Sequence, residues 1–433
     1  MKYLIGLTLF AVSFGAAAVP EIQHWRTENG ARVYFVEAHE IPILQLSIAF
    51  DAGSARDPAS RSGLAHLTSL MLDEGAGKLS SDAIANRLDS VGAEFGSNNG
   101  RDMSVVDLRS LSDPKILDVA VGVFAEIVAN PKFPEDALGR EKDRALVRLA
   151  QKKQSPQEVV QTEFYASLFS THPYANPAEG DEAGVKALTR ADLVAFHKRY
   201  FTGGNAVVAI VGDLTRRDAE RIAATVVGGL PAGSAPPPLA SVKALEKAKE
   251  KSIEFPSSQS HVLLGQTGIT RGDPDYFPLY IGNYVLGGSG LVSRLSVEIR
   301  EKRGLAYSVY SYFLPMRELG PYLIGLQTRN DQVSLAVAVV QDTVERFVAE
   351  GPTEAELEAA KKNLTGGFPL KLDSTKKIAA NILNIAFYGL PLDYLNTYTE
   401  NIERVTRDQV RDAFKRRVDP KRLVRVIVGD QNA

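Results

Sequence analysis

Few residues in this chain combine the types and spacings that chemistry needs. Its histidines (His24, His39, His66, His172, His197 and His261) are scattered, and cysteine is absent. No thiol is therefore on hand as nucleophile or metal ligand. His66 is followed by Ser69 and Leu70, the positions one helical turn further on. Leucine offers no lone pair, and zinc needs three or four N, S or O donors. A lone His66 with a serine one turn away cannot supply them. The run Gly287-Gly288-Ser289-Gly290 has the glycines of a phosphate cradle. It lacks the Walker Lys-Ser/Thr and the dinucleotide spacing, so it reads as a turn entering the next helix.

The elements that must position these residues belong to a chain of 433 residues, long for one core and comfortable for two domains. A hydrophobic content of 44% and a charged content of 24% describe a globular protein. A net charge of −2 gives no special attraction to nucleic acid or anionic membrane. Lys2, the apolar run Leu4 to Phe14 and the small residues Gly15-Ala16-Ala17-Ala18 read as a signal peptide over 1–18, cut near Ala17 or Ala18. That run is too short to span a bilayer, and no other approaches 18 residues. Export without disulfides fits a bacterial periplasm, with no membrane span left after cleavage.

An internal repeat organises the rest. Leu188–Asp213 and Val405–Asp430 align without a gap at nine identities in 26 positions. Each reads as a helix opened by a threonine (Thr189, Thr406), a turn, then a β-branched strand ending Val-Gly-Asp. Gly53–Pro58 parallels Gly268–Pro274 at the entrance to each half. Pro236-Pro237-Pro238 and the charged run Lys243 to Lys251 suit an interdomain linker. The expected organisation is residues 20–230, a linker over 231–250, and residues 251–430. Leu44, Leu46, Ile48 and Phe50 alternate with Gln45, Ser47 and Ala49, the pattern of a half-buried strand. Asp136–Lys153 carries an apolar stripe of helical period, Leu138, Ala145, Leu146 and Leu149. The fold class is α+β: two homologous domains, each a mostly antiparallel sheet with helices on one face, arranged as a half-clamshell.

From about residue 30 to 430 the chain resembles the insulinase/pitrilysin-type metallopeptidases. The residues that carry the likeness are the stretch Gly63–Gly75, His172-Pro173-Tyr174 with Gly180, Val211-Gly212-Asp213, Gly287 to Leu295, and above all Glu298-Ile299-Arg300-Glu301-Lys302-Arg303-Gly304-Leu305-Ala306-Tyr307-Ser308-Val309. The family's zinc helix reads His-x-x-Glu-His, two imidazoles for the metal and a Glu as base. Here those five positions are His66-Leu67-Thr68-Ser69-Leu70. The family's third ligand is a Glu on a later helix, and its place falls on Arg148, a permanent cation. The resemblance therefore implies a degenerate zinc site (His66, Ser69, Leu70, Arg148), with no metal or other cofactor in this chain. Arg148 is left either as an ion-pair partner of Glu141 or as a cation turned toward Ser69 and His66.

The same resemblance implies what remains. In the family an Arg and a Tyr seven residues apart reach across the cleft to the scissile carbonyl, and Arg300 and Tyr307 stand at that spacing. A guanidinium and a phenol are suitable donors to an oxyanion. Read without the family, Arg300 would pair with Glu298 or Glu301, and Tyr307 would only cover a sheet. The stretch Ala93–Asp102, with Phe95, Gly96, Ser97 and Asn98, corresponds to the family's edge strand, to which an extended peptide adds as a further strand. It would equally suit a plain surface hairpin. Short two-domain members resemble half of a clamshell, among them the mitochondrial processing peptidase subunits and the bacterial paired peptidases. The expected role is the non-catalytic, substrate-binding subunit of an exported peptidase, in a heterodimer with a zinc-bearing homologue and acting on a peptide. The alternative is a non-enzymatic scaffold or peptide-binding protein of the same fold.

Overall fold

A computed structural model describes residues 21–430; the expected signal segment 1–18 lies outside them. The first half builds β1 (Gln23–Arg26), β2 (Arg32–Glu37), β3 (Ile43–Phe50), β4 (Glu94–Asn99), β5 (Ser104–Leu111) and β6 (Ala206–Gly212). They form one sheet in the order β1-β2-β6-β3-β5-β4. The second half builds β7 (Lys249–Glu254), β8 (Gln259–Thr267), β9 (Ala306–Phe313), β10 (Pro321–Arg329) and β11 (Val424–Gly429), in the order β7-β11-β8-β10-β9. The second order repeats the first from β2 onward. The parallel pairs correspond as well, β2 with β6 and β7 with β11. The two sheets share an α+β, two-domain, half-clamshell architecture.

Local signals in the repeat explain its elements. Thr189 and Asp192 form a reciprocal capping box at the start of helix Arg190–Tyr200. Thr406 and Gln409 do the same for helix Arg407–Arg417. Each box satisfies two backbone donors that a helix start leaves bare. The following strands β6 and β11 are almost wholly buried.

β3 departs from the half-buried expectation, because both of its faces are covered. Leu44, Leu46, Ile48 and Phe50 enter the core formed with the first half's own helices. On the other face, Ala49 joins Val36, Val207, Ala209 and Val211 under Ala379, Ile382, Leu383 and Phe387. Those last four residues lie on helix Thr375–Tyr388, which belongs to the second half. The exchange is mutual. Helix Pro156–Phe169 of the first half places Val160, Phe164, Tyr165 and Leu168 against Leu263, Leu323, Val424, Val426 and Val428 of the second sheet. The two exchanged helices occupy the same place in the order of elements. Phe164 passes so close to β8 that a Cβ at Gly265 would lie 2.8 Å from its ring.

A polar joint closes the same boundary. The buried carboxylate of Asp102 accepts hydrogen bonds from Tyr174 Oη of the first half, from Tyr388 Oη at 2.9 Å and from the Arg317 N–H at 2.8 Å. Residues 231–246 carry no helix or strand. They lie along the body, with Val242 buried and the Pro237 carbonyl accepting from Arg56 at 2.8 Å.

Since each half supplies part of the other's core, they should unfold together. Phe164→Ala should cost about 3–5 kcal/mol. It should shift the urea midpoint read by Trp25 fluorescence in β1 as far as the midpoint read by circular dichroism; two separated transitions would contradict the exchange. A second expectation concerns His197, stacked 4.7 Å from Phe201 and sharing a hydrogen bond with the Val128 carbonyl. Burial pushes its imidazole down to about 4 from 6.5. The folded state then binds this proton more weakly than the unfolded chain. Stability is intact above about pH 6.5 and is lost as pH falls toward about 4. The repeat has Phe414 at this position, so His197→Phe should flatten that slope in urea titrations across the window.

Candidate functional site

The helix at the centre of the question, Leu64–Leu70, is seated by one carboxylate. Asp57 Oδ2 accepts the Gly63 N–H and Oδ1 the Ala65 N–H, both at 2.8 Å. Burial pushes the Asp57 carboxyl up to about 7, while these backbone donors pull the other way. Gly63 adopts φ of 95°, a left-handed conformation that suits glycine. The seat is intact although the ligand set is not.

Ser69, the serine one turn after His66, lies on the same helix. It is buried and meets Ser104 Oγ at 3.3 Å. Ser104 in turn donates to the Ala52 carbonyl at 2.7 Å and accepts from Asn99 Nδ2 at 2.6 Å. The hydroxyl is thus tied into a network beneath β4 and β5. Leu70 packs against the first hydrophobic core. His66 is half-buried; burial pushes its imidazole down, Glu179 and Glu141 pull it up, and the Arg148 and Lys152 charges push it down again.

Arg148 therefore lies near His66, but it makes no hydrogen bond to His66 or Ser69 among the described residues. The expected pair with Glu141 is not formed either. Glu141 is buried and bonded to Arg144, which is nearer along the same helix. Among the described residues, no group of three or more His, Asp or Glu could hold a metal ion. One imidazole, a bonded hydroxyl, a leucine and a guanidinium do not fit zinc.

Arg300 and Tyr307 are brought together. Arg300 sits in a wide turn of π type, Val297–Glu301. That turn is closed by Gly304 N–H on the Arg300 carbonyl at 3.0 Å and Leu305 N–H on the Ile299 carbonyl at 2.9 Å. β9 then starts at Ala306 and projects Tyr307, 83% exposed, with the Arg300 guanidinium 4.6 Å from its ring centroid. The plain ion pair with Glu298 or Glu301 is absent among the described residues; Glu298 is occupied by Lys302 at 2.8 Å and Arg303 at 2.6 Å. Among the described residues neither the guanidinium nor the phenol has a hydrogen-bond partner. The geometry presents two unused donors to solvent.

β4, with Phe95, Gly96, Ser97 and Asn98, is the outer strand of the first sheet, paired on one side only with β5. The Phe95 ring packs 6.1 Å from Phe124. The glycine-rich run continues from a wide turn, Tyr284–Gly288, into the short turn Gly290–Val292, and leaves Leu291 and Val292 exposed. Among the described residues, no helix is long and apolar enough to cross a membrane. Sequence reasoning named Tyr174 and Asp102 within longer stretches but did not connect them with each other or with Tyr388. Tyr174 and Tyr388 lie far apart in the chain and share no spacing with Asp102, so only the exchanged helix brings them together.

The chain is similar to proteins of one family. A model described as insulinase, peptidase family M16, matches residues 32–182, and one described as peptidase M16 inactive domain matches residues 187–364. The chain is 41% identical to a solved peptidase M16 inactive domain from Pseudomonas fluorescens, covering 95% of this chain and 98% of that one at a TM-score of 0.92. It is 27% identical to the protein called non-peptidase homolog YmxG of Helicobacter pylori, over 99% of both chains. It is 29% identical to an uncharacterized zinc protease of Mycobacterium tuberculosis, over 93% of this chain and 91% of that one.

The donor count has a direct test. After dialysis against zinc, the wild-type chain should retain well below one equivalent by elemental analysis. Leu70→His with Arg148→Glu restores three donors with His66 and should retain about one. Zinc held by the wild-type chain would refute the count.

Proposed function

This chain belongs to the insulinase family, peptidase family M16, as a non-catalytic homologue, and from that premise we propose that it is the substrate-holding subunit of an exported peptidase. Its partner would be a homologue with an intact His-x-x-Glu-His helix, supplying the zinc and the general base. The peptide would lie along the outer edge of β4 in extended form, held through its backbone. Arg300 and Tyr307 would donate to the scissile carbonyl. One observation carries this reading: beside a zinc-motif helix with no metal-holding cluster among the described residues, the chain keeps the Arg300 guanidinium over an exposed Tyr307 ring, with neither side chain spent elsewhere.

The chemistry asks little of this subunit beyond position. A carbonyl under attack gathers negative charge on its oxygen. Donors already aimed at that oxygen lower the barrier more than they strengthen substrate binding. Stacking on the phenol holds the guanidinium plane, worth about 0.5–1 kcal/mol at an exposed site. A closed chamber would exclude water from the pair and strengthen both hydrogen bonds. Lysine in place of Arg300 would lose the planar fork.

The Helicobacter pylori relative is called a non-peptidase homolog, and this supports a second reading, a scaffold or peptide-binding protein without hydrolysis. One experiment separates the two. The isolated chain should cleave nothing, and mixing it with the intact homologue should raise peptidase activity. Arg300→Ala or Tyr307→Phe should then lower kcat by about 10-fold to 1,000-fold, as removal of an oxyanion donor does. Full activity of the homologue alone, unchanged by this chain, would remove the division of labour and leave the scaffold. Recovery of the chain from the periplasmic fraction would test export.

A further inference from the structure

A cavity of about 670 Å³ opens at the junction of the halves and is lined by none of His66, Arg300 and Tyr307. Its apolar walls come from both sides of the boundary. Leu149, Val159 and Tyr165 belong to the first half, and Ile253 and Phe255 to the end of β7 and just beyond. Arg101 also lines it. Its Nε donates to the Tyr174 carbonyl at 3.1 Å and its Nη2 to the Asn176 carbonyl at 3.4 Å. The guanidinium carbon lies 3.8 Å from the centroid of the Tyr165 ring.

The carboxylate that sequence puts next to this cation is not available to it. Asp102 is committed to Tyr174, Tyr388 and the Arg317 N–H. The other cations of the cavity are neutralised: Lys152 pairs with Glu158 at 3.2 Å and Glu179 at 2.9 Å, and Lys153 with Glu182 at 2.8 Å. Among the described residues, no carboxylate bonds to Arg101. Burial also pushes its guanidinium down from its ordinary range. Asp102 acts on this cation through space without a hydrogen bond, and a planar fork is matched best by a bonded carboxylate. The volume falls within the range of about 300–1,000 Å³ typical of small-ligand sites.

We propose that this cavity binds a carboxylate with an apolar tail, the carboxylate on the Arg101 N–H groups that Tyr174 and Asn176 leave unused and the tail between Leu149, Val159, Ile253 and Phe255. Two sources share that chemistry, a free fatty acid and the C-terminus of a peptide ending in an apolar residue. The site rests on neither the zinc count nor the Arg300–Tyr307 pair.

Calorimetry on the full chain tests it with two matched pairs: decanoate against decanol, and a leucine-terminated tetrapeptide acid against its amide. At least one acid should bind saturably at about one per chain and about tenfold or more tighter than its uncharged counterpart. Arg101→Gln should weaken the acid about tenfold or more and leave the uncharged counterpart unchanged. Arg101 also braces the loop at Tyr174, so a cavity-filling variant that keeps the cation, Val159→Trp, should abolish binding at unchanged circular dichroism. Preference for decanoate names a lipid source, preference for the peptide acid names a peptide, and binding of both supports the shared chemistry. Equal binding of acid and uncharged counterpart, indifference to both variants, or no saturation at about 1 mM would overturn the site.

Discussion

The two halves of this protein are held by an exchange of helices. Each sheet buries one face under helices of its own half and the other under a helix lent by its counterpart. Phe164 and Tyr165 go one way; Ile382 and Phe387 go the other. The apolar contacts bring together residues that no short spacing relates, and Asp102 then fixes the register by accepting from both sides. The relation of Leu64–Leu70 to β9 depends on that arrangement. So does the cavity lined by Arg101, whose walls come from both halves.

Within this frame the first half seats the helix Leu64–Leu70 firmly, with no metal-holding cluster around it among the described residues. Asp57 and Gly63 still seat the helix, and Leu64, Ala65 and Leu67 still fill the core beneath it. Leu70 packs on the core and Ser69 reaches Ser104, so this helix is well satisfied with the residues it has. The second half differs in the opposite sense. Tyr307 gains nothing by its exposure, and Arg300 is bonded to no carboxylate among the described residues. Exposed aromatic surface beside a spare cation stabilises a fold little in isolation, which makes a structural explanation for the pair the weaker one.

Much of this was legible in the sequence. The threonine-opened helices and the Val-Gly-Asp strands of the repeat were marked by caps and by runs of β-branched residues, signals that act over a few positions. The α+β class followed from strands preceding helices in each half. What stayed hidden was long-range. Gln45 and Ser47 suggested a solvent-facing side of β3, because polar residues at alternate positions do so in most sheets; the lent helix covers them. Arg148 and Glu141 were matched by helical spacing, but Arg144 is nearer to the same carboxylate. Asp102 was one acid among many until two distant tyrosines converged on it.

The loan of helices also limits how the gene can be dissected. A polypeptide stopped at residue 230 would leave Val207, Ala209 and Val211 uncovered and would carry Pro156–Phe169 with no sheet to rest on. The complementary piece would have the mirror-image defect. Each fragment would expose sticky apolar surface that only its missing sibling fits. The two coding segments are therefore bound to travel as a single reading frame, or to be translated side by side, and shuffling one half between relatives would require matching both borrowed surfaces at once.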